Sequence, residues 1–464
     1  MLRKIRIILA AVFFVGITLL FVGIGHQWWG WMAGLQFLPS CIALNFAVIA
    51  GILLVTILFG RIYCSVICPM GVFQDCVNRI SSLRKGKKRR FKFHTENRAL
   101  RDLVLAVFLI ALMFGVQWLV AIIAPYSAYG RMIQNLVNPT SPAAIIVAVC
   151  TFALISVCAW LWGREWCNSI CPVGTVLSLF SRFAIFRPVI DTDKCVHCHA
   201  CEKACKSSCI NSFEQKIDYS RCVDCFDCLD DCKAGAIRYG FVNPFKKKSA
   251  EPKSPEDKSG RRNFIMTTAF LGGAAITSKA QEKHLDGGLA DVKPKQTPVR
   301  AERLVPFGAG SVKEFYERCT GCQLCVSACP NNVLRPSTDL QHFMQPQMYY
   351  DKGYCRPECT ACSQVCPTGA ILPVMKEQKL LMHIGTASVN LDLCFAATGK
   401  ESCGNCARHC PNGAIMMVEN PKGGNRIPAV LEDKCIGCGA CEFLCPSRPV
   451  SAITVNGRSV HYDE

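Results

Sequence analysis

Cys319-Thr320-Gly321-Cys322-Gln323-Leu324-Cys325-Val326-Ser327-Ala328-Cys329-Pro330 sets four thiols two, two and three residues apart and closes on a proline. Thiols this close together cannot staple distant segments, so the spacing points to metal ligation rather than disulfides. It also has a mechanical reading. Three thiolates leave one tight loop and wrap a single 4Fe-4S cluster, while the fourth leaves the following helix and reaches a second cluster. Structural zinc also accepts four cysteines, but zinc modules use two separated C-x2-C knuckles.

The same pattern recurs five times. Upstream lie Cys195, Cys198, Cys201 and Cys205, then Cys222, Cys225, Cys228 and Cys232. Downstream lie Cys355, Cys359, Cys362 and Cys366, then Cys394, Cys403, Cys406 and Cys410, then Cys435, Cys438, Cys441 and Cys445. Every copy keeps the middle gap of two and the final gap of three. Only the first gap varies, by one residue after Cys355 and by a long insert, Phe395 to Ser402, after Cys394. Six motifs predict six 4Fe-4S clusters.

In the upstream pair, Cys195, Cys198 and Cys201 are expected to take Cys232. Cys222, Cys225 and Cys228 are expected to take Cys205, with Cys209 as a spare. Lys206 and Lys233 stand where a proline usually follows the fourth cysteine. Downstream, the exchange of fourth cysteines is open between sequential partners (first with second, third with fourth) and a nested order (first with fourth). Cys195-Val196-His197-Cys198-His199 also spells the c-type haem attachment string. Nested inside a cluster motif, it is read as a ligand loop with His199 at the surface.

Outside these motifs the chain is apolar. Of 464 residues, 51% are hydrophobic, and runs at about Ile5–Gly25, Ile42–Gly60, Leu103–Ala124 and Ala143–Gly163 approach the ~20 residues that cross a bilayer. The basic segment Arg84 to Lys92 separates the second and third runs, and lysine and arginine mark the cytoplasmic side. The N-terminus and that loop are therefore expected inside. The loops carrying Trp28, Trp29, Trp31, Tyr126 and Tyr129 are expected outside, with those aromatics as an interfacial belt. The formal charge of +18 overstates the excess, because six thiolate-bound clusters at roughly −2 each offset about 12 of it. No aromatic-interleaved basic surface argues for nucleic acid.

The fold expected is an α-helical membrane domain of four transmembrane helices in a duplicated hairpin (1–185), plus two α+β ferredoxin-like domains binding 4Fe-4S clusters. The first (186–242) holds two clusters and the second (305–464) holds four. Residues 243–304 form a linker with a twin-arginine-like signal and an apolar segment. The duplication is visible in Gly60-Arg61-Ile62-Tyr63-Cys64-Ser65-Val66-Ile67-Cys68-Pro69 against Gly163-Arg164-Glu165-Trp166-Cys167-Asn168-Ser169-Ile170-Cys171-Pro172. Cys64 and Cys68, like Cys167 and Cys171, share a face if helical. Brought together by the duplication, the four thiols are read as a redox site for quinol oxidation, with metal binding and a disulfide as the other readings. Cys41, Cys76, Cys150 and Cys158 read as small buried apolar residues. Gly369-Ala370-Ile371 and Gly413-Ala414-Ile415 each suggest a short strand after a cluster loop.

Residues 1 to about 245 resemble the NapH-type membrane ferredoxins of periplasmic nitrate reductase systems. The likeness rests on four apolar runs, paired C-x3-C-P motifs and a two-cluster module. Related membrane parts occur in nitrous-oxide reductase regulators. Residues from about 255 resemble the NapG-type polyferredoxins, through Arg261-Arg262-Asn263-Phe264, Pro306-Phe307-Gly308-Ala309 and the sixteen downstream motif cysteines. Gly260 and Met266 depart from the usual twin-arginine pattern. Ser278-Lys279-Ala280 offers a cleavage site.

The resemblance implies a fusion of two normally separate partners in a bacterial inner membrane. The first ferredoxin domain is then cytoplasmic and the second is exported to the periplasm. Electrons would pass from (mena)quinol through the clusters to a periplasmic reductase, as in nitrate respiration, or to a small cytochrome. No terminal catalytic site is recognised. Two other readings stay open: a redox maturation or sensing protein for a metalloenzyme, and a carrier between a cytoplasmic donor and quinone.

Overall fold

The computed structural model describes residues 1–84, 91–95, 97–139, 142–242, 293–339, 341–421 and 423–461. Arg261-Arg262, the apolar run behind them and the basic stretch 85–90 lie outside these residues. An apolar chain must satisfy its own backbone polar groups. Up to Ser181 this one does so almost wholly as helices. The main ones are α1 (Leu2–Val22), α2 (Phe46–Phe59), α3 (Ile62–Val66), α4 (Pro69–Arg84), α5 (Arg98–Met113), α6 (Gln117–Ile123), α7 (Pro125–Val137), α8 (Pro142–Trp162), α9 (Glu165–Ser169) and α10 (Pro172–Ser181).

Two of the four apolar runs form single helices long and apolar enough to cross a membrane, α1 and α8. Helix α2 has 14 residues, about 21 Å at 1.5 Å per residue, against a hydrocarbon core of about 30 Å. The third run is broken. Helix α5 ends at Met113, Gly115 takes φ 70°, and α6 restarts at Gln117. Beyond it, α7 is neither a loop nor a belt. Tyr126 and Tyr129 are buried and meet Phe21 of α1 with ring centroids 5.3 and 6.2 Å apart. Trp28 and Trp31 do stand exposed.

The duplication is structural. Helices α2, α3 and α4 repeat as α8, α9 and α10, and Gly60 and Gly163 open the two bends with φ 76° and 74°. Cys64 and Cys68 do not lie along one helix. Cys64 sits in α3, the chain turns at Ile67, and Cys68 immediately precedes α4. Cys167 and Cys171 repeat this between α9 and α10. The four remaining cysteines before Ser181 are not buried: Cys41 and Cys158 are half-buried, while Cys76 and Cys150 are exposed.

The cysteine-rich modules are built from short antiparallel strand pairs. Phe186–Ile190 pairs with Ile237–Phe241 and brackets the first two motifs. Gly385–Val389 pairs with Ile453–Gly457 and brackets the last two in the same way. Ile415–Val418 is the strand expected after Gly413, whereas Ile371 is buried but not in a strand. Pro306-Phe307-Gly308-Ala309 threads the downstream core, where Gly308 packs so tightly that a Cβ would lie 2.5 Å from the Leu372 carbonyl.

Candidate metal centres

Each regular motif holds its loop open in the same way. In Cys195–Cys201 the residues at positive φ are His197 and His199, and in Cys222–Cys228 they are Asp224 and Phe226. In Cys319–Cys325 they are Gly321 and Gln323, and in Cys435–Cys441 they are Gly437 and Gly439. Left-handed backbone in a non-glycine residue costs roughly 1–2 kcal/mol. It recurs because such a bend turns successive N–H groups inward, forming a cradle for an anion.

The thiols converge on four small cavities. Cys195, Cys198, Cys201 and Cys232 line one, and Cys222, Cys225, Cys228 and Cys205 line another, as the upstream exchange requires. Cys209 shares the second cavity, its Sγ 3.4 Å from that of Cys205. Downstream, Cys355, Cys359 and Cys362 line a cavity with Cys329, and Cys435, Cys438 and Cys441 line one with Cys410. Cys366 lies within electrostatic range of Cys319, Cys322 and Cys325, and Cys445 likewise of Cys406 beside Cys403 and Cys394. The described thiols are therefore grouped as the sequential exchange would group them, first motif with second and third with fourth, and not in the nested order.

Burial pushes the Cys438 thiol up to about 12 and the Cys406 thiol up to about 11. Buried thiols held in this way need a cationic core to become thiolates. Among the described residues no three His, Cys, Asp or Glu side chains stand close enough to hold a single metal ion. A tetrahedral zinc would need its sulfurs about 3.8 Å apart, given Zn–S near 2.3 Å. Thiols spread around a cavity and backed by inward N–H groups fit a polynuclear, anionic centre.

Several buried cations near these sites carry no sequence signature. Lys379 is almost fully buried, and its Nζ donates to Cys355 Sγ at 3.2 Å and to the carbonyls of Arg356 and Cys359. Arg131 of α7 is buried within electrostatic range of Cys322, with its Nε and one Nη unpartnered. Lys206, the substitute for the usual proline, reaches Asp75 at 3.0 Å and Asp227 at 3.1 Å. Asp75 also receives Arg164 at 2.8 Å and Arg6 at 3.1 Å. Burial pushes the Asp75 carboxyl up, but these three cations hold it below its ordinary value.

The four repeat thiols meet. Cys64, Cys68, Cys167 and Cys171 are all buried and interact electrostatically with one another. The arrangement is reciprocal across the duplication: Arg61 donates to the Cys167 carbonyl at 3.2 Å and Arg164 to the Cys64 carbonyl at 2.9 Å.

The fold and the cysteine cavities define a ferredoxin-type 4Fe-4S protein. A family described as a 4Fe-4S binding domain matches residues 43–90 and 143–190, the two repeats, and a second of the same description matches 186–207. A 4Fe-4S dicluster domain matches 318–370 and 401–448. The methylamine utilization ferredoxin-type protein MauM of Methylophilus methylotrophus is 34% identical over 42% of this chain and 85% of its own length. The ferredoxin-type protein NapF of Escherichia coli is 31% identical over 34% of this chain and 86% of its own, and NapG of the same organism is 28% identical over 42% and 84%. The chain belongs to this family of ferredoxin-type 4Fe-4S electron-transfer proteins. It also matches an uncharacterized protein of Methanocaldococcus jannaschii, 28% identical over 32% of this chain, and spans about half (51%) of that relative's length. No solved structure matches it.

Proposed function

We propose that this chain is a membrane-bound electron carrier taking electrons from quinol to a periplasmic reductase of the nitrate-reductase kind. On this reading 1–185 is the membrane domain, 186–242 a cytoplasmic two-cluster domain and 305–464 a periplasmic four-cluster domain joined by the linker 243–304. One observation carries it: the two cysteine-rich modules grip opposite ends of α1. At its N-terminal end, Arg3 pairs with Asp227 at 2.8 Å and Asp230 at 3.0 Å. At its C-terminal end, Ser327 Oγ donates to the Leu20 carbonyl at 3.2 Å, and Leu324 and Ala328 join the core of Ile17, Leu20 and Phe21. Arg3 and Leu20 lie about 26 Å apart along the helix axis at 1.5 Å per residue, most of the ~30 Å thickness of a bilayer core. Helix α8 turns Val149, Phe152, Leu154, Val157 and Leu161 outward, as a lipid-facing helix does.

The twenty-four motif cysteines hold six 4Fe-4S clusters, which supply one-electron storage when bound. The chain's own part is to bury them, fix their spacing and set their charge environment, with Lys379 and Arg131 as the buried cations. The paired thiols of the repeats serve the redox step at the membrane. A periplasm-dependent reporter fused after Glu464 is expected to be active, and one fused after Val242 inactive. Activity of a cytoplasm-dependent reporter at both positions would replace this reading with the cytoplasmic carrier.

A further inference from the structure

Arg131 is a buried cation of α7 without an anion of its own. Other buried cations have carboxylates: Arg164 and Lys206 share Asp75, and Arg300 pairs with Glu442 at 2.7 Å. Arg131 is 1% exposed and donates to the Ala121 carbonyl, while its Nε and second Nη are buried with no acceptor among the described residues. The ionisable group that acts on it is Cys322, a motif cysteine of the downstream module. A buried guanidinium left in this state is strongly destabilising.

Its neighbours show the same want of acceptors. Tyr126, also in α7, is buried with its O–H unpartnered among the described residues, within electrostatic range of Cys322 and Cys366. Thr320, beside Cys319, has a buried hydroxyl in the same condition. These donors come from both sides of one contact. A Cβ on Gly130 of α7 would fall 2.6 Å from the Cys322 carbonyl, and Asn135 Nδ2 donates to Gln323 Oε1 at 2.9 Å. The thiols gathered there are Cys319, Cys322, Cys325 and Cys366. An anionic centre on them, of roughly −2 when oxidised, supplies both the missing acceptors and the missing charge.

We infer that Arg131 is the counter-charge that the N-terminal helices lend to that centre, so that docking of residues 305–464 and reduction of the cluster are thermodynamically linked. The inference rests on the reading of the motifs as cluster sites and goes beyond it by making the contact redox-sensitive. The step is transfer of one electron from the neighbouring cluster of Cys329, Cys355, Cys359 and Cys362, which is oxidised as this one is reduced. No bond is made or broken at the cysteines or at Arg131.

Reduction adds one negative charge beside a guanidinium shielded from water, where charges interact more strongly than at the surface. The reduced module therefore docks more tightly than the oxidised one. Linkage is reciprocal, so the factor that reduction gains in docking is the factor that docking gives to reduction. Seated on α7, the cluster is the better electron acceptor; lifted off, it is the stronger reductant.

The test uses the full chain, purified anaerobically in detergent, held on resin by an N-terminal tag and carrying a protease site within 243–304. After cutting, the downstream fragment is expected to be held about tenfold more tightly when reduced with dithionite than when oxidised. Arg131→Met is expected to abolish that difference. It should also lower the midpoint potential of the cluster in the uncut chain by about 59 mV per tenfold lost, the one-electron conversion. Arg131→Lys keeps the charge and is expected to restore both. Equal retention of oxidised and reduced wild-type fragment overturns the inference. So does a redox difference that persists undiminished in Arg131→Met. If the methionine variant does not accumulate, Arg131→Gln takes its place, and the wild-type comparison alone still suffices to overturn the inference. Iron separates this from the reading beneath it: a fragment with about 16 irons and no redox-dependent docking rejects the linkage only, whereas one with a handful of irons rejects the clusters too.

Discussion

Lys379 is a lysine with almost no solvent contact, and its Nζ donates to the sulfur of a motif cysteine, Cys355, at 3.2 Å. A buried ammonium is tolerated only beside compensating charge. Burial pushes the Cys355 thiol up to about 11, and Lys379 pulls against that shift. A fixed positive charge favours the more negative, reduced state of whatever the cavity holds. Lys379→Met keeps the length of the side chain and removes the charge. The midpoint potential of the cluster at Cys329, Cys355, Cys359 and Cys362 is therefore expected to fall, by on the order of 50–150 mV. A redox titration followed by electron paramagnetic resonance measures it; an unchanged potential with intact iron would remove Lys379 from any tuning role. The motif cysteines that line the cavities were legible because their spacing is local. Lys379 was not, because it lies outside the motif it serves and is brought there only by tertiary folding. The sequential exchange of fourth cysteines was illegible for the same reason.

At the scale of elements, the repeated Gly-Arg bends tie the N-terminal helices to the first module. The Arg164 N–H donates to the Lys206 carbonyl at 2.9 Å, and Arg61 reaches the Ser220 carbonyl at 3.0 Å. Gly60 and Gly163 are forced by crowding as well as by positive φ, since a Cβ at either would fall within 2.4 Å of Asp224 or Lys206. Asp75 is the anion that three of the cations share, so neutralising it leaves Arg6, Arg164 and Lys206 repelling one another. Asp75→Asn is expected to weaken docking of residues 186–242 by about 3–5 kcal/mol. Hydrogen exchange in detergent is the readout: amides of 186–242 should exchange faster while those of α1 and α8 do not. Protection unchanged across 186–242 would show the network to be dispensable. The duplication that builds this site could be read from two ten-residue stretches of sequence, 60–69 and 163–172. The break between α5 and α6 could not, because Phe114-Gly115-Val116 is as apolar as its flanks and hydropathy does not register a change of φ.

For the whole molecule, α1 acts as a strut whose two ends carry different modules, so docking at the far end must depend on close approach. The contact is tightest at Gly130 in α7. A Cβ there would meet the Phe21 ring at 2.5 Å and the Cys322 carbonyl at 2.6 Å. Around it, Asn135 Nδ2 donates to Gln323 Oε1 at 2.9 Å, and Gln117 Nε2 donates to the Glu317 carbonyl at 2.6 Å. The absent side chain at Gly130 lets the loop that carries Cys322 lie directly on α1 and α7. Gly130→Val touches no ligand side chain, yet it drives a methyl-bearing carbon into backbone that cannot swing away. Overpacking of this kind costs about 1–3 kcal/mol or more, and the least costly relief is for the module to lift off. With a protease site inserted in the linker, the cut wild type should keep residues 305–464 on sedimented membranes through these contacts alone. Cut Gly130→Val should release that fragment with its iron still bound. Retention of the fragment by both would mean that Gly130 does not govern the docking. Release from both would mean that the linker, not the face built by α1 and α7, holds the module in place.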